Sequence, residues 1–279
     1  MKKFIIMGIV VFLLLVIILL FLWFQDNFLT VSKYTYQSTK ISEDFDGCRI
    51  MQISDLHNKS FGKNQKKIME IVEREKPDII VVTGDIVNRD DYDNSLELIR
   101  LMSEKAKVYF VPGNHEARTE KYDEIRESIA VHATVLENKV VQLHQGESFI
   151  NIAGLADPDF YSKIHKDLHE GWVGRRLSKM LLPEDQFTIL LSHRPDLTNV
   201  YSEYNVDLVF SGHAHGGQII LPRVGSLYAP DQGWFPEYTM GMHMMNETTM
   251  IVSRGLGNMV SVPRIFNYPE IVIVDLEKV

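Results

Sequence analysis

The chain has 279 residues, is 45% hydrophobic and 24% charged, and carries a formal net charge of −8. Such averages exclude a polytopic membrane protein, a disordered tail and a disulfide-stapled miniprotein. They also conceal two unlike parts, because residues 4–24 hold 20 apolar residues, one glycine and no charge.

As a helix that run is about 31 Å long, the thickness of a bilayer's hydrocarbon core. A cleaved secretion signal has a shorter apolar stretch and small residues at its cleavage site. Here the run closes on Leu22-Trp23-Phe24 and continues as Gln25-Asp26-Asn27, so it reads as an uncleaved transmembrane anchor. Lys2 and Lys3 precede it, and only Lys33 lies in the ten residues that follow. The positive-inside rule therefore expects a single-pass protein of the cell membrane with its domain on the extracytoplasmic side. Residues 1–24 are the anchor, residues 25–47 a juxtamembrane segment leading inward, and residues 48–279 the folded domain.

Without Lys2 and Lys3 the chain has 27 basic and 37 acidic residues, a net charge of −10. No basic stripe with interleaved aromatics occurs, so no nucleic-acid-binding surface is expected. The single Cys48 sits in the apolar run CRIMQIS and reads as a small core residue.

Apolar, β-branched runs mark strands at Ile50–Ile53, Ile79–Val82, Val108–Val111, Val140–Leu143, Phe149–Ala153, Thr188–Leu191, Leu208–Phe210, Thr249–Val252 and Ile271–Val274. Helical spacing appears over residues 64–75, where Ile68, Ile71 and Val72 share one face, and more weakly over 94–104, 120–131 and 195–204. Strands alternating with helices predict α/β layering. The later strands follow one another without helices, which predicts a partly antiparallel second half.

The endings of these runs carry the chemistry. The first ends in Ser54-Asp55-Leu56-His57, the second in Gly84-Asp85 and the third in Gly113-Asn114-His115. The spacings are close to one βαβ unit, so each unit delivers a polar group to the carboxyl end of a strand. Two later runs end in Ser192-His193 and in Ser211-Gly212-His213-Ala214-His215. Alone, any of these residues reads as a cap or a turn. Together, two Asp, one Asn and several His without thiolates suit divalent Mn, Fe or Zn, and their number suggests two ions sharing a carboxylate. Glycines 84, 113, 212, 216 and 217 allow sharp turns beside them.

In order, D-x-H, G-D, G-N-H, a lone H and G-H-x-H resemble the calcineurin-like metallophosphoesterase superfamily over about residues 48–275. The resemblance implies a four-layer α/β/β/α sandwich and hydrolysis by metal-activated hydroxide. It implies that Asp55, His57 and His215 hold a first divalent ion, that Asn114, His193 and His213 hold a second, and that Asp85 bridges them. His115 would protonate the leaving oxygen. Ser54–Asn58 (SDLHN), Gly212–Gln218 (GHAHGGQ), Leu221-Pro222, Ala229-Pro230 and Ser253–Asn258 (SRGLGN) look like the membrane-anchored subgroup. That group includes bacterial phosphodiesterases and is similar to UDP-2,3-diacylglucosamine hydrolases of lipid A synthesis. The expected partner is accordingly a phosphoester substrate, lipid-linked or otherwise membrane-associated. A competing likeness to protein serine/threonine phosphatases rests on Gly113–Glu116 (GNHE) and Asp85–Arg89 (DIVNR). Pro112 and Asp90 depart from that pattern.

Outside the motif, Trp172, Val173, Leu177, Met180 and Leu181 recur at helical spacing beside Arg175, Arg176 and Lys179. This insertion, residues 157–185, reads as a helix packed on the sheet, or else as an amphipathic lid. His165 and His169 read as a solvated helix face. Tyr228, Trp234, Phe235 and Tyr238 lie in a Pro/Gly-rich stretch that either rims the crevice or supports the core. A non-catalytic metal-bound binder of cell wall or lipid is the alternative of another class.

Overall fold

The structure is a computed structural model and describes residues 2–88, 91–163, 165–258 and 262–279. An N-terminal helix α1 (Lys2–Asn27) precedes the strand β1 (Thr30–Ser38). Then come β2 (Arg49–Ile53), α2 (Lys66–Glu75), β3 (Ile79–Val82), α3 (Asp93–Ser103) and β4 (Lys107–Phe110). The short α4 (Asn114–Arg118) and α5 (Tyr122–Ala130) lead to β5 (Thr134–Val135). The second half holds β6 (Lys139–Gln145), β7 (Ser148–Gly154), α6 (His169–Met180), β8 (Thr188–Leu191), α7 (Thr198–Tyr201) and β9 (Leu208–Ser211). Two short ribbons follow, β10 (Ile220–Leu221) with β11 (Gly225–Ser226) and β12 (Tyr228–Ala229) with β13 (Gly233–Trp234). The chain ends with β14 (Gly241–Met245), β15 (Thr248–Val252) and β16 (Glu270–Lys278).

Two six-stranded sheets form, ordered β1-β16-β2-β3-β4-β5 and β14-β15-β9-β8-β7-β6. Strands β2 to β5 pair in parallel, as do β15, β9, β8 and β7, while hairpins β14–β15 and β6–β7 supply the expected antiparallel part. Alternation along each strand divides the side chains between two faces. Ile50, Ile79 and Val81 point inward with Ile152, Ile189, Leu208 and Phe210 of the other sheet, forming the core between the sheets. Met51, Ile53, Ile80 and Val82 point outward against Ile68, Val72, Leu98 and Ile125 of the helices. Trp172, Val173 and Leu177 of α6 and Tyr201 of α7 cover the outer face of the second sheet. The result is the four-layer α/β/β/α sandwich.

Residues 30–38, which the sequence reading leaves in the juxtamembrane segment, form an edge strand paired with β16 along its whole length. Cys48 is buried between the sheets, and burial pushes its thiol up to about 12. The insertion helix α6 packs on its sheet through Trp172, Val173 and Leu177. His165 is exposed, but His169 is not on a solvated face. It is buried, and its Nε2 donates to the Ser162 carbonyl at 2.7 Å.

One polar side chain crosses the central core. Gln52 is fully buried, and its amide donates to Thr83 Oγ1 at 2.9 Å and to the Ser211 carbonyl at 2.8 Å. It thereby ties the end of β3 to the end of β9, just before Gly84-Asp85 and Gly212-His213. Replacing Gln52 by Leu removes both bonds at a cost of about 2 kcal/mol, or roughly 4–8 °C in Tm for a domain of this size. Calorimetry checks this, and an unchanged Tm would remove the tie from the account.

Candidate metal centre

The carboxyl ends of both parallel sets meet at one edge of the sandwich. Asp55 and His57 follow β2, Asp85 follows β3 and Asn114 opens α4 after β4. His193 follows β8, and His213 and His215 follow β9. All seven are buried, as is His115. Five of them, Asp55, His57, Asp85, His213 and His215, have φ between 48° and 65°. That left-handed conformation costs roughly 1–2 kcal/mol per residue for side chains with a Cβ. Backbone bonds between the loops offset part of this, from Asp55 N to Gly84 O, His57 N to Asp85 O and Asn58 N to Ile86 O, at 2.7–3.0 Å.

The side chains fall into two sets. His57 Nε2 faces His215 Nε2 at 3.3 Å, and His215 Nε2 lies 3.4 Å from Asp55 Oδ1. In the other set His193 Nε2 lies 3.1 Å from His213 Nδ1, 3.2 Å from Asn114 Oδ1 and 3.2 Å from Asp85 Oδ2. The same Asp85 oxygen is 4.0 Å from His57 Nε2 and so belongs to both sets. Its other oxygen accepts the His115 backbone N–H at 2.7 Å.

Burial lowers His57 to about 3 and, together with Arg194, His213 to about 4, so both rings are neutral near pH 7. Burial and His57 hold His215 well below its usual range. Burial also lowers His193, but Asp85 overrides it and raises that ring to about 10. Burial pushes Asp55 up to about 6. Asp85 stays well below the carboxylate range because His193, His115 and His57 outweigh its burial. Four imidazoles whose ring nitrogens confront one another beside carboxylate oxygens, those of His57, His213 and His215 neutral, are a donor set suited to divalent cations. The residues present fit two such ions sharing Asp85.

The surrounding groups set the ring orientations. His193 Nδ1 donates to the Thr83 carbonyl at 2.7 Å, which turns Nε2 toward the centre. Asp231 Oδ2 lies 3.0 Å from His213 Nε2, leaving Nδ1 for the centre. Behind them Arg194 is buried, paired twice with Asp157 at 2.7 and 3.0 Å, with Asp159 at 2.9 Å, and with Asp231. Sequence reasoning missed this network. The available signal was charge directly beside apolar strand ends, at Asp157 after β7 and at Arg194 after His193.

Glu116 was also missed as a site residue. It is fully buried and accepts the backbone N–H groups of Asp85, Ile86, Val87 and Gly113 at 2.7–3.1 Å. Its place in GNHE thus reflects a carboxylate that clamps the Asp85 loop to α4. Close approach requires glycine at several positions around the centre, Gly113 and Gly257 among them. A Cβ on Gly113 would lie 2.3 Å from Asp85 Oδ1, and one on Gly257 would lie 2.3 Å from the Leu56 carbonyl. The latter places SRGLGN directly behind the Asp55 loop. Of the DIVNR likeness, Arg89 and the following Asp90 lie outside the described residues.

A cleft of about 270 Å³ opens over the cluster, lined by Asp85, Asn114, His213 and His215 with Arg118, Lys166 and Tyr228 at its walls. Tyr228 therefore rims the crevice, and Trp234 and Phe235 are exposed beyond it.

Replacing Glu116 by Leu leaves four buried N–H groups without an acceptor. The expected loss is about 4 kcal/mol or more, seen as a fall of roughly 8–16 °C in Tm by calorimetry of the metal-free protein. A fall below about 2 °C would show that water or a neighbour replaces the clamp.

The family model for calcineurin-like phosphoesterases matches residues 48–217. The uncharacterized metallophosphoesterase YkuE of Bacillus subtilis (strain 168) is 33% identical over 272 residues, covering 91% of this chain and 88% of that one. The phosphodiesterase YaeI of Escherichia coli (strain K12) is 25% identical, covering 82% of each. The UDP-2,3-diacylglucosamine pyrophosphatase LpxG of Chlamydia muridarum is 28% identical, covering 90% of each. Among solved structures, TT1561 of Thermus thermophilus shares the fold at a TM-score of 0.52 and 14% identity, over 75% of this chain and 89% of that one.

Proposed function

The chain belongs to the calcineurin-like phosphoesterase family and is a metal-dependent phosphoester hydrolase, and we propose that it cleaves phosphodiester or pyrophosphate bonds of a membrane-associated substrate. The observation that carries this reading is the Asp85 carboxylate shared by two ligand sets at the floor of an open cleft. Asp55, His57 and His215 would hold one divalent ion, and Asn114, His193 and His213 the other, with Asp85 between them. The imidazole and carboxylate donors favour Mn²⁺, Fe²⁺ or Zn²⁺. When bound, the two ions supply Lewis-acid activation of water and neutralise phosphoryl charge.

The protein's own groups supply positioning and a proton. His115 is held by its backbone bond to Asp85, and its ring stands edge-on to His57 with centroids 4.7 Å apart. From there it donates a proton to the departing oxygen of the ester. Arg118 and Lys166 line the cleft and attract an anionic substrate.

The α1 run and the diacylated substrate in the LpxG relatives' name support a substrate at a membrane surface. The phosphodiesterase YaeI favours diester cleavage. A second reading, hydrolysis of a UDP-2,3-diacylglucosamine-type pyrophosphate, draws on the LpxG relatives. It requires the domain to face the cytoplasm, where such lipids are made, against the orientation read from Lys2 and Lys3. A non-catalytic binder is disfavoured because every ligand position and His115 are in place.

Full-length protein loaded with Mn²⁺ is expected to hydrolyse bis-p-nitrophenyl phosphate. Turnover of p-nitrophenyl phosphate with none of the diester would overturn the diester assignment. His115→Ala should lower kcat about 100-fold at equal metal content, and equal rates would remove the assigned acid. Stripping the metal should cost about 4 kcal/mol of stability relative to ion at 1,000 times its Kd, or roughly 8–16 °C in Tm. A Tm indifferent to Mn²⁺ would argue against the centre.

A further inference from the structure

The last turn of α1 is docked on the domain. Two residues, Phe28 and Leu29, separate its end at Asn27 from β1 at Thr30. Phe21 meets Phe266 edge-on at 5.9 Å, and Phe24 and Phe28 pack on Tyr268 at 5.8 and 5.5 Å. Gln25, the one buried residue of α1, donates to Tyr268 OH at 3.2 Å, and Asp26 Oδ1 accepts Asn258 Nδ2 at 2.7 Å. Lys59, two residues past His57, donates to the Asp26 carbonyl.

The segment that receives α1 also holds the loop carrying the candidate ligands. Asn267 Nδ2 donates to the His215 carbonyl at 2.7 Å and to the Gln218 carbonyl at 3.2 Å. Ile220 N donates to the Ile265 carbonyl at 3.0 Å, and Gln218 Nε2 donates to the Val262 carbonyl. Between these elements runs a second groove of about 350 Å³, lined by Ile219, Leu227, Tyr228, Trp234 and Val262. Its walls are apolar, and Trp234 is 68% exposed. Phe235, Phe266 and Val262 beside it are exposed as well. Tyr228 and Gln218 line both this groove and the cleft above the ligand cluster.

Apolar side chains so exposed are unfavourable in water and belong at an interface. Phe21, inside the membrane-length run, meets Phe266, and Ile265 beside it bonds to Ile220 next to the groove that Val262 and Trp234 line. Tryptophan and tyrosine at the end of a bilayer-length helix suit the headgroup level. We propose that this groove is an acyl-chain subsite: one chain of a bilayer amphiphile leaves the membrane beside α1 and lies along Trp234 and Val262. Its phosphoester then reaches the cleft past Tyr228 and Gln218. The proposal rests on the reading of the substrate as a membrane-associated phosphoester.

The test uses full-length protein in phosphatidylcholine nanodiscs and alkyl p-nitrophenyl phosphates with one to eight carbons. Wild-type kcat/KM is expected to rise about two- to fourfold for each methylene that enters the groove. In Val262→Asp, whose side chain is exposed, the slope against chain length should flatten. Equal slopes in the two proteins would reduce the effect to partitioning into the bilayer and overturn the subsite, as would a flat series in wild type. A spin label on Val262→Cys, with Cys48 buried and unreactive, reads the same surface without turnover. Collisions with oxygen exceeding those with a water-soluble nickel chelate support the subsite, and the reverse order sinks it. No hydrolysis of any ester, together with a label in the apolar phase, would fell the diesterase reading and leave the surface standing.

Discussion

The Asp85 carboxylate is the constraint from which the rest of this structure follows. It is buried, one oxygen lies against the His193 ring and within 4.0 Å of His57, and the other is held by the His115 N–H. An anion taken out of water needs compensating charge and hydrogen bonds on every side. The loops after the first sheet's strands bring His57 and His115 to this point, and those after the second sheet's strands bring His193, His213 and His215. Gln52 joins the two sets of strand ends through the core.

That convergence has a backbone cost. Five candidate ligands adopt left-handed turns, and Gly113 is present because any Cβ would strike Asp85. Strain of this kind persists only where surrounding contacts over-determine it. Here the Glu116 clamp, the ladder between the Asp55 and Asp85 loops and the SRGLGN segment behind Leu56 do so. The Arg194 network performs the same service for His213 from the other sheet. Glu116 and Arg194 hold the centre from behind, and Asp231 holds His213 from the cleft wall, so its geometry is set by the protein's own contacts.

What could be read in the sequence followed from this arrangement. The candidate ligands were visible because each interrupts an apolar run, and the runs Ile79–Val82 and Thr188–Leu191 coincide with observed strands. The layering was visible in the alternation of strands with helices. The edge strand Thr30–Ser38 was not, because six of its nine residues are polar and it looks like a linker until β16 pairs with it. Asp157 and Asp231 were invisible for a different reason: each lies 37 residues from Arg194 in the chain, and only the fold makes them partners. His169 misled because helical spacing says nothing about whether a loop, here Ser162, folds back over the ring.

The apolar run at the start looks at first like an appendage whose only effect is to distort the composition. Its end shows otherwise. The polar residues Gln25 and Asp26, where the run stops, are the ones that bond to Tyr268, Asn258 and Lys59. With two residues between α1 and β1, the helix is a rigid continuation of the first sheet and not a flexible tether. If α1 spans a bilayer, the distance from the bilayer surface to the ligand cluster is therefore set by packing. The negative net charge fits that placement. A domain of charge −10 gains nothing from anionic headgroups, so contact with a membrane would depend on apolar side chains such as Trp234, Phe235 and Phe266. Phosphate recognition is then left to the cleft, where divalent cations, if held by Asp55, Asp85 and the imidazoles, would supply the positive charge that the surface lacks.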